Sequence, residues 1–205
     1  MSKLFDDFEG LLDSHSKEAP LQSFLKGHPE ILISTFNQGA QYPTVLPKFK
    51  LADELIPDFV MVGRRSGAQY ASWDVDLVEI EPSILDEPLF NRKRQSTNRL
   101  REAEEQIKQW QQWMQVNGQS IFVSLALREL KKKHAWNDHA QFYSPSSIMH
   151  QNMLISYRII IGRRKDFGDY GHKYRATVWE QSNHRVEIVP WDRLLDKVRL
   201  LDSTG

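Results

Sequence analysis

Apolar residues along the chain follow two different periods. Leu4, Phe5, Phe8, Leu11 and Leu12 recur at helical spacing and predict a short amphipathic helix. Glu18 to Lys26 repeats the pattern with Leu21, Phe24 and Leu25, and Gly27 supplies a stop. Pro29 to Phe36 is a further short apolar piece. The period then shortens. Tyr42 to Leu51 is β-rich around Val45, Leu46 and Phe49, and Ile56 to Val62 is a compact apolar run closed by Gly63. Arg64 to Tyr70 reads as a turn, and Trp73 to Glu81 as a strand ended by Pro82. Three strands with short connections predict a meander. Ser96 to Asn117 carries a stripe of Leu100, Ala103, Ile107, Trp110 and Met114, with Ser96 or Thr97 as its cap and Gly118 at its end. Ile121 to Lys133 puts Ser124, Arg128 and Lys131 on one face, which favours helix over strand. Asn137 to Asn152 is polar and loop-like; Leu154 to Ile161 is a buried strand ending in Gly162. Tyr170 to Gln181 predicts a helix, Arg185 to Val189 a last strand and Trp191 to Val198 a last helix. This order predicts a mixed α/β domain, a central sheet with helices on both faces. Its late strand–helix–strand unit predicts a parallel pair with a right-handed crossover.

Composition narrows the chemistry. With 205 residues the chain is long enough for one domain with a real core, and 40% hydrophobic with 26% charged residues reads as soluble and globular. The absence of cysteine excludes a disulfide framework, an iron–sulfur site, a thiolate zinc site and a thiol nucleophile. The first ten residues are mixed and acidic, unlike a secretory signal, and no apolar run approaches the roughly 20 residues that span a bilayer. The expected location is the cytoplasm, away from membranes. Twenty-seven basic residues balance 27 acidic ones, so nucleic-acid contact through bulk positive charge is disfavoured and local basic segments are required. No glycine-rich phosphate loop and no Ser–His–Asp signature occurs. His28, His134, His139, His150, His172 and His184 lack metal-ligand spacing. Trp110 lies on the helix's core stripe, while Trp113 lies off it and suits an interface.

Acidic residues are the candidate chemistry. Asp58 opens one apolar strand; Glu79 and Glu81 close the next. Strand side chains alternate, so Glu79 and Glu81 share a face, which Asp58 approaches if the strands are neighbours. Asp74 and Asp76 fall on the opposite face, while Val75 and Leu77 share that of Glu79, so only the strand's end is a site. Clustered carboxylates suit a hard divalent cation, Mg²⁺ or Mn²⁺, that activates water and stabilises a phosphoryl oxygen. The bland alternative is ordinary surface carboxylates. Six acids and no base fall between 74 and 87, while Arg92, Lys93, Arg94, Arg99 and Arg101 fall between 91 and 101 without an acid. Bases at a helix start suit a polyanion, so these five are the candidate nucleic-acid contacts. Lys131 to Lys133 and Arg163 to Lys165 are further basic clusters that singly read as solvated faces.

Several segments together resemble the Shedu nuclease family, within the PD-(D/E)xK or restriction-endonuclease-like superfamily. Glu18 to Leu25 with His28-Pro29-Glu30 is similar to the family's opening, and Pro57-Asp58-Phe59-Val60 to its first catalytic strand. Leu77 to Ser83, with Leu89-Phe90, is similar to the second. Ala103, Gln106-Ile107 and Trp110 to Trp113 resemble its long helix, and Ile159 to Arg164 and Val186 to Leu195 its C-terminal half. The resemblance implies a restriction-endonuclease-like fold over residues 18–205 with a helical extension at 1–17. It implies a divalent-metal-dependent endonuclease acting on phage or other foreign DNA in bacterial defence. Asp58, Glu79 and the Ile80 carbonyl would ligate Mg²⁺ or Mn²⁺, Glu18 would approach the metal, and Gln106 would match a helix glutamine of several branches. Glu81 stands where lysine is usual; glutamate there serves as a base or second-metal ligand, or else marks a weak, non-cleaving module that works by binding and oligomerisation. The family resemblance further implies a homo-oligomer. Because members often carry an extra N-terminal domain and about seventeen residues precede the similarity here, it also implies a sensing role that is absent or held by a partner.

Overall fold

The computed structural model describes residues 3–14, 17–36, 40–65, 72–132 and 152–203. Three helices, α1 (Lys3–Ser14), α2 (Glu18–Gly27) and α3 (Pro29–Phe36), precede β1 (Ala40–Pro47), β2 (Phe59–Arg65) and β3 (Ser72–Ile80). Then come α4 (Asn98–Lys132), β4 (Asn152–Ile160), α5 (Arg164–Gln181), β5 (Val186–Val189) and α6 (Trp191–Ser203). The five strands form one mixed sheet in the order β1-β2-β3-β4-β5. β1, β2 and β3 pair antiparallel as the expected meander, and β3, β4 and β5 pair parallel. A parallel neighbour needs a long crossover, which α5 supplies between β4 and β5.

Strand alternation divides the core between the two faces of this sheet. Val60, Val62, Val75, Leu77 and Ile159 pack with Leu100, Ala103, Ile107 and Trp110 of α4 and Phe167 of α5. Phe59, Met61, Val78, Ile80 and Ile160 pack with apolar side chains of α1, α2, α3 and α6. Phe5, Phe8 and Leu12 of α1 belong to that second core. Helices therefore cover both faces. Trp113 packs, half-buried, against the first core.

Gly118, at φ 75° and ψ 167°, ends one helix as expected, and a second runs on from it to Lys132, the two together forming α4. Other boundaries differ from expectation. Neither Ser96 nor Thr97 caps α4 by its side chain. Thr97 Oγ1 donates to the Pro88 and Leu89 carbonyls, and the Asn98 N–H donates to Glu87 Oε1 at 3.0 Å. The anion-binding end of α4 thus already holds a carboxylate. α5 begins at Arg164 rather than at Tyr170, because Asp166 accepts from the Arg163 N–H at 2.6 Å and Phe167 is buried. The predicted loop from Asn137, with His139 and His150, together with Lys133 and His134, lies outside the described residues up to β4.

Candidate active site

The site forms at the ends of β2 and β3. Their register pairs Phe59 with Val78, and one further step sets Asp58 across from Glu79. Asp58, Glu79 and Glu81 are 3%, 8% and 6% exposed, which excludes the reading as ordinary surface carboxylates. Asp58 is the most heavily bonded. Its Oδ2 accepts the Ile80 N–H at 2.9 Å, and its Oδ1 accepts from Gln22 Nε2 at 2.6 Å and from Lys48 Nζ. Glu81 lies just past β3 yet is fixed at both backbone ends. Its N–H donates to the Ile160 carbonyl at 2.8 Å, and its carbonyl accepts the Trp191 indole N–H at 2.8 Å.

Two helices bring the remaining groups. Glu18 and Gln22 are one helical turn apart on α2, and Arg99 and Gln106 are two turns apart on α4, so each pair shares a helix face. With its amide nitrogen turned inward, as the neighbouring acceptors require, Gln106 donates to both oxygens of Glu79, at 3.0 Å to Oε2. Arg99 Nη1 lies 3.4 Å from Glu81 Oε2 and 3.5 Å from Glu18 Oε1. The five residues expected in a catalytic role are thus brought together. Ile80 meets Asp58 through its N–H.

Burial and mutual repulsion dominate the electrostatics. Burial, then Asp58, Glu81 and Glu18, pushes the Glu79 carboxyl up to about 9, against a small opposing pull from Lys48. Burial and Glu18 push Glu81 up to about 7, opposed by Arg99. Glu18 is raised too, by burial and by Asp58. Four carboxylates here face Lys48 and Arg99, an excess of two negative charges when all are ionised. That excess equals the charge of one divalent cation, and the donor set is all oxygen, as hard cations prefer. Among the described residues no three Asp, Glu or His side chains form a ready-made metal cage. The residues therefore fit an ion held by two carboxylates with backbone and water, not a closed all-protein site.

Expected nucleic-acid contacts are dispersed in role. Arg92 and Lys93 are exposed on the loop before α4, Arg94 lies 5.6 Å above the Tyr170 ring, and Arg101 bonds Asn98. Arg99 is turned into the acid cluster. Arg163 and Arg164 pair with Asp13, Asp192 and Asp196, so these two bases tie α1 and α6 to the start of α5. Lys48 and Gln22 were not singled out from sequence. Gln22 carries a signal, its one-turn spacing from Glu18; Lys48 carries none until the sheet register sets the end of β1 beside Asp58. Among the described residues no helix is long and apolar enough to cross a membrane.

Comparison with curated proteins gives no match. Residues 15–195 match the family described as Shedu protein SduA, C-terminal. This span takes in every site residue above and all five strands, and on that match the chain belongs to the Shedu family.

Proposed function

We propose that the chain is a divalent-metal-dependent DNA endonuclease of the PD-(D/E)xK type, working in the cytoplasm in defence against phage. The observation that carries this reading is the buried, mutually repelling set of Asp58, Glu79 and Glu81 at the paired ends of β2 and β3. Isolated buried carboxylates are costly, and a bound cation offsets that cost. Asp58, Glu79 and the Ile80 carbonyl would hold Mg²⁺ or Mn²⁺. When bound, the ion supplies Lewis-acid stabilisation of the phosphoryl oxygens and a more acidic water. The protein's own groups do the rest. Gln106 fixes the Glu79 carboxylate in rotation through two N–H donors. Glu81, raised to about 7, has a proton affinity matched to neutral pH and accepts the proton of the attacking water. Arg99 pairs with both Glu81 and Glu18 and offsets part of their charge. Foreign DNA is the substrate, and a homo-oligomer with a sensing partner the working assembly.

The test is cleavage of duplex, nicked and single-stranded DNA with Mg²⁺ or Mn²⁺. Asp58→Ala and Glu79→Ala should each abolish cutting, and undiminished activity in both sinks the assignment. A second reading, a weak or non-cleaving module that binds DNA or partners, is favoured by Glu81 in the lysine position and by the donors already on Asp58. It predicts no metal-dependent change in melting temperature. Saturable stabilisation by Mn²⁺ that disappears in Glu79→Ala counts against it.

A further inference from the structure

We propose that Lys48 supplies, from the end of β1, the positive charge that the site lacks at position 81. This rests on the nuclease reading above. Lys48 is joined to Asp58 twice. Its N–H donates to the Asp58 carbonyl at 2.8 Å, and its Nζ donates to the Asp58 carboxylate. The backbone at Lys48 has φ 48°, the left-handed region that a non-glycine residue rarely adopts. Such conformations persist where the surroundings hold them, and they cluster at functional sites.

Stability does not account for the arrangement. The Lys48 side chain is 56% exposed, whereas the Asp58 side chain is buried. The ammonium is largely in water, and Asp58 already accepts from the Ile80 N–H and the Gln22 amide, so satisfying the acid does not by itself account for the strained backbone. The geometry does explain a charge delivered to a chosen point. An exposed stem lets the ammonium tip meet both a buried acid and an incoming phosphate. Arg99, the other cation at the site, is bracketed by Glu18 and Glu81 on the α4 side. Lys48 reaches the cluster through Asp58. Its role is electrostatic positioning: it offsets the Asp58 charge before DNA arrives and stabilises the charge that builds on the phosphoryl oxygens during cleavage. No bond to Lys48 forms or breaks.

The absence of cysteine makes the test clean. Lys48→Cys places a single thiol in the chain, and 2-bromoethylamine rebuilds an ammonium there and nowhere else. We expect Lys48→Cys to lower kcat on duplex DNA by about 100-fold with KM changed less than about threefold. The Mn²⁺-dependent rise in melting temperature should persist, because Asp58 and Glu79 remain. Aminoethylation should return kcat to within about tenfold of wild type, whereas a neutral methylthio adduct should not. Lys48→Gly relieves the left-handed backbone and carries the test if Lys48→Cys fails to fold; the same loss of kcat is expected. Unchanged cleavage, equal rescue by the neutral adduct, failure of aminoethylation to rescue, or loss of the Mn²⁺ response in these variants overturns the proposal. If wild type cuts and responds to Mn²⁺ while Lys48→Cys cuts as well, this inference alone falls. A wild type that neither cuts nor responds to Mn²⁺ sinks the nuclease reading and this inference with it.

Discussion

Glu79 concentrates the opposing forces of the site. Its carboxylate is buried, faces three other acids, and receives two donors from one glutamine. A group raised in the fold binds its proton more tightly there than in the unfolded chain. Between the ordinary glutamate value and about 9 the folded state therefore holds more protons, and stability falls as pH rises. For the metal-free protein in EDTA, the melting temperature should decline from about pH 4.5, less steeply above about 7, where Glu81 is ionised in the fold as well, and level off near 9. Glu79→Gln should leave a decline below about 7 and abolish the one between about 7 and 9. Added Mg²⁺ should stabilise more at pH 8 than at pH 6, because ligands must be ionised to bind it. A melting temperature flat from pH 6 to 9 would overturn this account. At this scale, the acids were legible because strand alternation alone assigns Glu79 and Glu81 to one face. Their partners were not. Lys48 meets Asp58 through the pairing of β1 with β2, and a base such as Arg99 within a basic run gives no sign of which acid it will reach.

Element types were legible wherever one period ran long enough, and the breaks had separate causes. Gly118 ends the first helix of α4, as the period predicts, and a second follows it directly. A Cβ there meets nothing within 4 Å, so space is not the constraint; the constraint is φ 75° with ψ 167°. Gly118→Ala should cost about 1–3 kcal/mol through the backbone alone. It should lower the melting temperature by roughly 2–4 °C per kcal/mol. A gain in stability would mean that α4 simply straightens. The early start of α5 was hidden because Gly168, at φ 51°, interrupts its first turns and obscures the helical period. Across the sheet, β3, β4 and β5 are joined by a buried charge network that periodicity gives no access to. Arg158 Nε donates to Asp76 at 2.8 Å and its Nη1 donates to Glu187 at 2.7 Å, beneath the Phe36 and Trp179 rings. Burial pushes Asp76 up, and Arg158 pulls it back. Arg158→Leu strands that acid and should cost about 3–5 kcal/mol in urea unfolding. Asp76→Leu combined with Arg158→Leu should recover most of the loss, and strict additivity of the two changes would show that the pair is not coupled.

The whole molecule is electrically neutral by sum and structured by location. Asp58, Glu79 and Glu81 gather at the ends of β2 and β3. Of its basic clusters, Arg163 and Arg164 are occupied in joining helices, and Arg99 is occupied inside the site. This leaves Arg92, Lys93, Arg94 and Arg101 as exposed bases of the segment before and at the start of α4. Even there the helix terminus is taken by Glu87, so side chains and not the helix dipole must hold a phosphate. Each phosphate neutralised releases counterions, and log K falls with log salt by about 0.9 per contact. Phosphate contacts confined to these four bases and Lys48 set a slope of about −4 to −5 for a single chain binding duplex DNA. Titrations from 50 to 300 mM NaCl should give that shallow dependence. Arg92→Ala with Lys93→Ala should flatten it by about 2, at roughly one per phosphate contact, and weaken binding evenly across sequences. Cleavage at saturating DNA should be unaffected, because neither residue touches the acid cluster. A slope near −8 from a monomer would mean that the phosphate contacts come from bases elsewhere in the chain. The same slope appearing only above the concentration at which chains associate would show several copies sharing one duplex, each adding its small set of bases.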